Sequence, residues 1–167
     1  TLRRAMAMWN DAGSDENFYD SAGVGESVLT AWAGMGRRNE CPKGMRLTAW
    51  NGGMSVINPD ERIDPRNQRA PKNKDHYANL KAQAWFSLRA RFENAYKKKM
   101  GREYDATHII SLPVDLPYLE QLQDELCQPH KKESGTGKVL VDKQPDGAQS
   151  PNLADAVVMA FFPLSAK

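Results

Sequence analysis

Two aspartates stand where folding alone gives little reason for a carboxylate. Asp20 closes a short apolar segment just ahead of the turn Ser21-Ala22-Gly23-Val24-Gly25, and Asp155 is the only charged residue between Ser150 and Pro163. Carboxylates are hard oxygen donors, and two that converge could hold a divalent cation such as Mg2+ or Mn2+ between them. Each also has a bland explanation. An Asp in a D-S-x-G turn readily accepts backbone N–H groups of its own turn. A carboxylate in the first turn of a helix is favoured by the helix dipole, by about 0.3 to 1 kcal/mol.

The elements that must position these acids read as alternating helices and strands. Leu2, Ala5, Met6 and Trp9 recur at helical spacing and Asn10 to Ser14 supply a stop, which predicts a first amphipathic helix. Residues 17–20 follow as a strand. Beyond the Gly23 and Gly25 turn, Val24, Val28, Leu29, Trp32 and Met35 mark one face of a second helix ending at Gly36. Residues 45–50 then read as a strand, and this alternation argues for an α/β layer with parallel strands. An acid at the carboxyl end of a strand in such a layer lies where open α/β sheets place their ligands.

The stretch 52–73 carries Pro59, Pro65 and Pro71 and little apolar periodicity, so an exposed, mobile loop is expected there. The longest helix is predicted over 75–96, with Tyr77, Leu80, Ala84, Trp85, Leu88, Phe92 and Ala95 as its buried stripe. On that wheel Lys81 falls inside the apolar stripe, between Leu88 and Phe92. Either its stem snorkels to the rim, or its ammonium meets a buried acid or a phosphate, since buried lysines are rare unless partnered.

Residues 109–112 suggest a short strand, 116–126 a helix, and 138–143 a half-exposed strand that the turn-rich 133–137 folds into a hairpin. Gly135-Thr136-Gly137-Lys138 superficially resembles a phosphate-binding loop. Val139 stands where that motif needs Ser or Thr and the first Gly is misplaced, so ATP binding is rejected. The last helix has Ser150 as expected N-cap and Pro151 at its first position. Its packing face is expected to be Leu153, Ala156, Val157, Ala160 and Phe161.

With 167 residues the chain can bury one substantial core, and a single domain over 1–167 is expected. A net charge of +2 is too small to name a partner; the crowding of Lys and Arg over 62–102 says more. No stretch is long and apolar enough for a membrane span, so no membrane partner is expected. Cys41 and Cys127 lie in no zinc or redox spacing, and His76, His108 and His130 are expected to be solvated or structural.

Four strings, in order, resemble the carboxyl-terminal nuclease domain of tailed-phage (prophage) terminase large subunits. They are Tyr19-Asp20-Ser21-x-Gly23-Val24-Gly25; Asn79-Leu80-Lys81-Ala82-Gln83-Ala84-Trp85 with Leu88-Arg89-x-Arg91-Phe92; Leu140-Val141-Asp142-Lys143-x-Pro145-Asp146-Gly147; and Ser150-Pro151-Asn152-x-Ala154-Asp155-Ala156. The resemblance spans nearly the whole chain. It implies an α/β, RNase H-like fold, a mixed central sheet flanked by helices, here lacking its first strands and bearing an added β-hairpin. It also implies an endonuclease that cuts concatemeric viral DNA during packaging, using two Mg2+ or Mn2+ ions.

By position, Asp20 matches the family's second metal-binding acid and Asp155 its last. Asn152, one turn before Asp155, stands where some relatives carry a His and is a candidate ligand or outer-sphere group. The family's first acid lies on an opening strand expected before Thr1, and an ATPase motor would precede that. Lys81, Arg89 and Lys74 are the candidate contacts to double-stranded DNA, through phosphates. Terminase small subunit and portal or procapsid are the partners implied for the full-length protein, in the cytoplasm of the bacterial host. One rival reading keeps the fold without the chemistry, as a DNA-tracking or procapsid-docking module. Another is a different RNase H-like enzyme, such as a resolvase or transposase, which the 79–92 string fits less well.

Overall fold

The computed structural model describes residues 2–13, 16–22 and 25–162. Ser14, Gly23, Val24 and Pro163, used in the sequence reading, lie outside the described residues. The chain forms two compact units, Thr1–Gly52 and Gly53–Lys167.

The first unit runs α1 (Leu2–Ala12), β1 (Glu16–Asp20), α2 (Gly25–Arg37) and β2 (Arg46–Trp50). β1 and β2 pair in parallel, from Glu16 opposite Arg46 to Asp20 opposite Trp50, as the alternating pattern predicts. Among the described side chains, Leu2, Met6 and Trp9 are the less exposed apolar positions of α1, and Val28, Trp32 and Met35, with Gly34 beside them, those of α2, whereas Ala5 and Leu29 face solvent. In both helices the inward line follows i, i+4, i+7, a narrower stripe than the sequence suggests. α2 ends where Asn39 adopts a positive φ of 55° and Glu40 donates its N–H to the Met35 carbonyl.

The second unit is built around one long helix. It comprises α3 (Asn73–His76), α4 (Leu80–Lys99), α5 (Leu119–Cys127), the antiparallel strands β3 (His130–Glu133) and β4 (Val139–Asp142), and α6 (Asn152–Phe161). α4 packs on β4 and α6, and α5 packs on α6. The hairpin expected over 133–143 is present, and Gly135-Thr136-Gly137-Lys138 forms its turn, where Ser134 Oγ accepts the Lys138 N–H. A phosphate-binding loop would instead run from a strand into a helix.

Four expectations are corrected. The single helix over 75–96 is two, because Tyr77 is extended and bridges Val139 of β4. Asn79 then starts α4 afresh, its side chain accepting the Ala82 N–H. No strand forms over 109–112, since the side chains of Arg91 and Asn94 take the carbonyls of Ile109 and His108. The face of α6 is set by Ala154 and Val158, at 0% and 1% exposure, while Ala156 and Ala160 point to solvent. In a helix this uniformly apolar, periodicity does not choose the buried side. The loop ahead of α3 is exposed as expected but internally laced, a finding at odds with free mobility. Ile63 N–H bonds to the Pro71 carbonyl, Asn73 N–H to that of Glu61, and Asp60 holds both Lys72 and Lys74.

Candidate functional site

Asp20 is the last residue of β1 and is exposed. Ladder pairing continues one residue further, Ser21 donating to the Trp50 carbonyl at 3.0 Å, so the backbone carrying this carboxylate is fixed. Its Oδ1 accepts the Ala22 N–H at 2.9 Å. The turn role anticipated for an Asp in this string is therefore real, and it aims the side chain past the end of the strand.

Asp155 lies in the first turn of α6, with its N–H bonded to the Pro151 carbonyl at 2.9 Å. Its Oδ2 pairs with Nζ of Lys143, which follows β4, and both side chains are 20% exposed. Asn152, one turn earlier, is exposed. Sequence reasoning gave Lys143 no role, although it stands in one of the four quoted strings. The clue was its place directly after a strand whose Val139 and Val141 are buried. Two further side chains missed for lack of any local signal, Glu125 and Gln128 of the α5 segment, bond to the backbone on either side of this pair.

Lys81 is half-buried on α4 and has no ion-pair partner among the described residues. No buried acid among the described residues partners it, and a half-buried lysine is what a stem snorkelling to the rim would give. Arg89 is exposed, pairs with Glu93 at 3.0 Å and lies 6.0 Å from the Phe86 ring centroid. Lys74 pairs with Asp60 at 2.8 Å, and this ammonium together with that of Lys72 holds the Asp60 carboxyl down at about 2. His76 sits edge-on to Tyr77, and burial, with Lys131 nearby, lowers its pKa. His108 neighbours Asp105 at 3.6 Å.

Among the described residues no three or more His, Cys, Asp or Glu side chains gather at metal-binding distance. The donor chemistry nonetheless suits Mg2+ or Mn2+. Asp20 and Asp155 offer carboxylate oxygens that solvent can reach, and Asn152 offers an exposed amide oxygen. Asp20 belongs to the first unit and Asp155 to the second.

No family model matches the chain, and no curated protein matches it. Solved structures do. The nuclease domain of the large terminase subunit gp2 of bacterial virus Sf6 superposes with a TM-score of 0.77 at 27% identity, covering 97% of this chain and 71% of that one. This chain resembles a phage terminase nuclease domain. A lysine-to-alanine variant of the same Sf6 domain with manganese and beta-thujaplicinol matches equally well, at TM-score 0.77, 27% identity, 97% and 71% coverage. A variant with calcium matches at 0.76 and 27%, covering 96% of this chain and 70% of that one. The α/β, RNase H-like fold expected from the four strings is the terminase-type fold found here. Among the described residues, no helix is long and apolar enough to cross a membrane.

Proposed function

We propose that the chain is a divalent-metal-dependent endonuclease that cleaves concatemeric double-stranded viral DNA during genome packaging, with 1–167 as a single terminase-type nuclease domain. The observation that carries this reading is the likeness over 97% of the chain, at 27% identity, to a terminase nuclease domain whose structures include manganese and calcium states. In this reading Asp20 and Asp155 hold two Mg2+ or Mn2+ ions, and Asn152 serves as a ligand or through a bound water. When bound, such ions supply an activated water and relieve negative charge on the leaving oxygen. Asp20 contributes a carboxylate fixed by its turn, and Lys143 compensates the Asp155 charge when no ion is there.

Lys81, half-buried and without an ion-pair partner among the described residues, is the strongest candidate to grip a backbone phosphate. Arg89 and Lys74 would do so by exchanging Glu93 and Asp60 for DNA. Phosphate contacts carry little sequence information, so cutting is weakly sequence-specific. In the full-length protein, small subunit and portal are the proposed partners, in the host cytoplasm. One observation favours the non-catalytic reading as a DNA-tracking or docking module: Asp155 already has a structural partner in Lys143. Nicking of supercoiled plasmid decides between them. Cutting that requires Mn2+ or Mg2+ and vanishes in folded Asp20→Ala and Asp155→Ala supports the nuclease. DNA binding with no cutting under any divalent ion supports the rival.

A further inference from the structure

Helix α6 carries Asp155 but lacks a cap of its own. Its N-cap position is Pro151, and no side chain there accepts a hydrogen bond. The first N–H groups of a helix need partners, and here they find one on another helix. Glu125 Oε2, from α5, accepts the Leu153 N–H at 2.6 Å and the Ala154 N–H at 3.0 Å. The other oxygen of the same carboxylate accepts from Gln121 Nε2 at 2.8 Å, one turn earlier on α5.

One turn further along, Gln128 reaches the other half of the ion pair. Its Nε2 donates to the backbone carbonyl of Lys143 and, at 2.8 Å, to that of Gln149 in the segment leading into α6. Gln121, Glu125 and Gln128 follow i, i+4, i+7 spacing, which puts them on one face of a helix. From that face the last two clamp the two stretches of backbone that deliver Lys143 and Asp155. A Ser or Asp at position 151 could satisfy the same N–H groups locally. Capping from α5 adds something a local cap cannot: it fixes where the first turn of α6 sits with respect to the end of β4.

We propose that Glu125 and Gln128 are positioning residues for the Asp155 carboxylate, with Glu125 fixing the helix turn that bears it and Gln128 fixing the strand end that bears its counter-ion Lys143. The inference rests on the proposed function in one respect, that Asp155 is a metal ligand. Groups that orient metal ligands through hydrogen bonds change metal affinity or activity by roughly 10- to 100-fold when removed.

The test uses the whole chain with MnCl2, comparing wild type with Glu125→Ala, Glu125→Gln, Gln128→Met and Asp155→Ala. Mn2+ affinity is measured without DNA by calorimetry, then kcat and KM for plasmid nicking, with circular dichroism melts alongside. Glu125→Ala is expected to weaken Mn2+ binding roughly 10- to 100-fold and lower kcat while leaving the KM for DNA unchanged. Glu125→Gln keeps an oxygen for both N–H groups and restores Mn2+ affinity and kcat. Gln128→Met, which leaves α6 capped, weakens Mn2+ by roughly tenfold, and it carries the test if Glu125→Ala does not fold.

Asp155→Ala that loses Mn2+ while folded Glu125→Ala and Gln128→Met keep wild-type affinity and kcat would overturn this inference alone. Wild-type protein that neither binds Mn2+ nor nicks would overturn the nuclease reading and this inference with it. Asp155→Ala that does both normally would overturn the place of Asp155 as a metal ligand, and this inference, while leaving the nuclease reading standing.

Discussion

Gln83 is the side chain whose loss should be felt furthest from its own helix. It is 7% exposed on α4, and its amide makes a two-point contact with one residue of the preceding loop. Oε1 accepts the Ile57 N–H and Nε2 donates to the Ile57 carbonyl, each at 2.9 Å. The side chain thereby stands in for a neighbouring strand and pins the loop that leads to α3. Gln83→Met keeps most of the volume and removes both bonds. A net hydrogen bond is worth about 1 kcal/mol, and a backbone group stranded in the interior costs about 1 to 3 kcal/mol.

Ile57 is only half-buried, so water can recover part of the loss and the low end applies to each group. About 2 kcal/mol of destabilisation is expected. With a urea m-value of about 2 kcal/mol per M for a chain of this size, the midpoint falls by about 1 M. Trp fluorescence during urea titration measures it, with limited proteolysis of the 53–72 loop as a local readout. A midpoint shift below about 0.25 M, or about 0.5 kcal/mol, together with an unchanged cleavage pattern, would refute the claim that Gln83 anchors this loop.

Other perturbations follow from the same packing. Leu80, fully buried at 0% exposure, should cost about 2 to 5 kcal/mol on change to Ala, read by the same titration. Asn79→Ala removes the cap on Ala82 N–H and should cost about 1 kcal/mol, with Asn79→Asp close to wild type. Asp60 has its carboxyl depressed to about 2 by Lys74 and Lys72. Its contribution is therefore present above the unfolded carboxylate value of about 3.9 and is lost as pH falls through about 2. NMR titration of Asp60 should give that midpoint, and Asp60→Asn should abolish the low-pH loosening of the loop. Lys143→Met leaves the Asp155 carboxylate without its ammonium, lowering the melting temperature of metal-free protein. Added Mn2+ should then raise that temperature more than it does in wild type, measured by thermal shift.

What could be read from the sequence was what local pattern controls. The parallel pairing of β1 with β2 followed from helices alternating with short strands, and the hairpin from a Gly-rich turn before an alternating run. Asp20 and Asp155 were found because charge is unexpected where they sit. What escaped needed partners distant in sequence. Glu125 caps α6 from 28 residues away, so Ser150 looked like the cap. Tyr77 leaves the helix because β4 offers Val139, 62 residues on, as a bridge partner, and nothing near Tyr77 announces it. The stretch 52–73 reads as mobile because of its prolines and its lack of apolar periodicity. Its polar residues Asn58, Asp60, Arg62 and Asn73 supply the bonds that lace it together.

The central claim is that Asp20 and Asp155 serve one metal centre. A crystal of the chain soaked in MnCl2 and measured at the manganese edge tests it most directly. The expected result is an anomalous peak touching a carboxylate oxygen of each aspartate, directly or through its water. Manganese bound by neither residue, or by one with the other turned away, would contradict it.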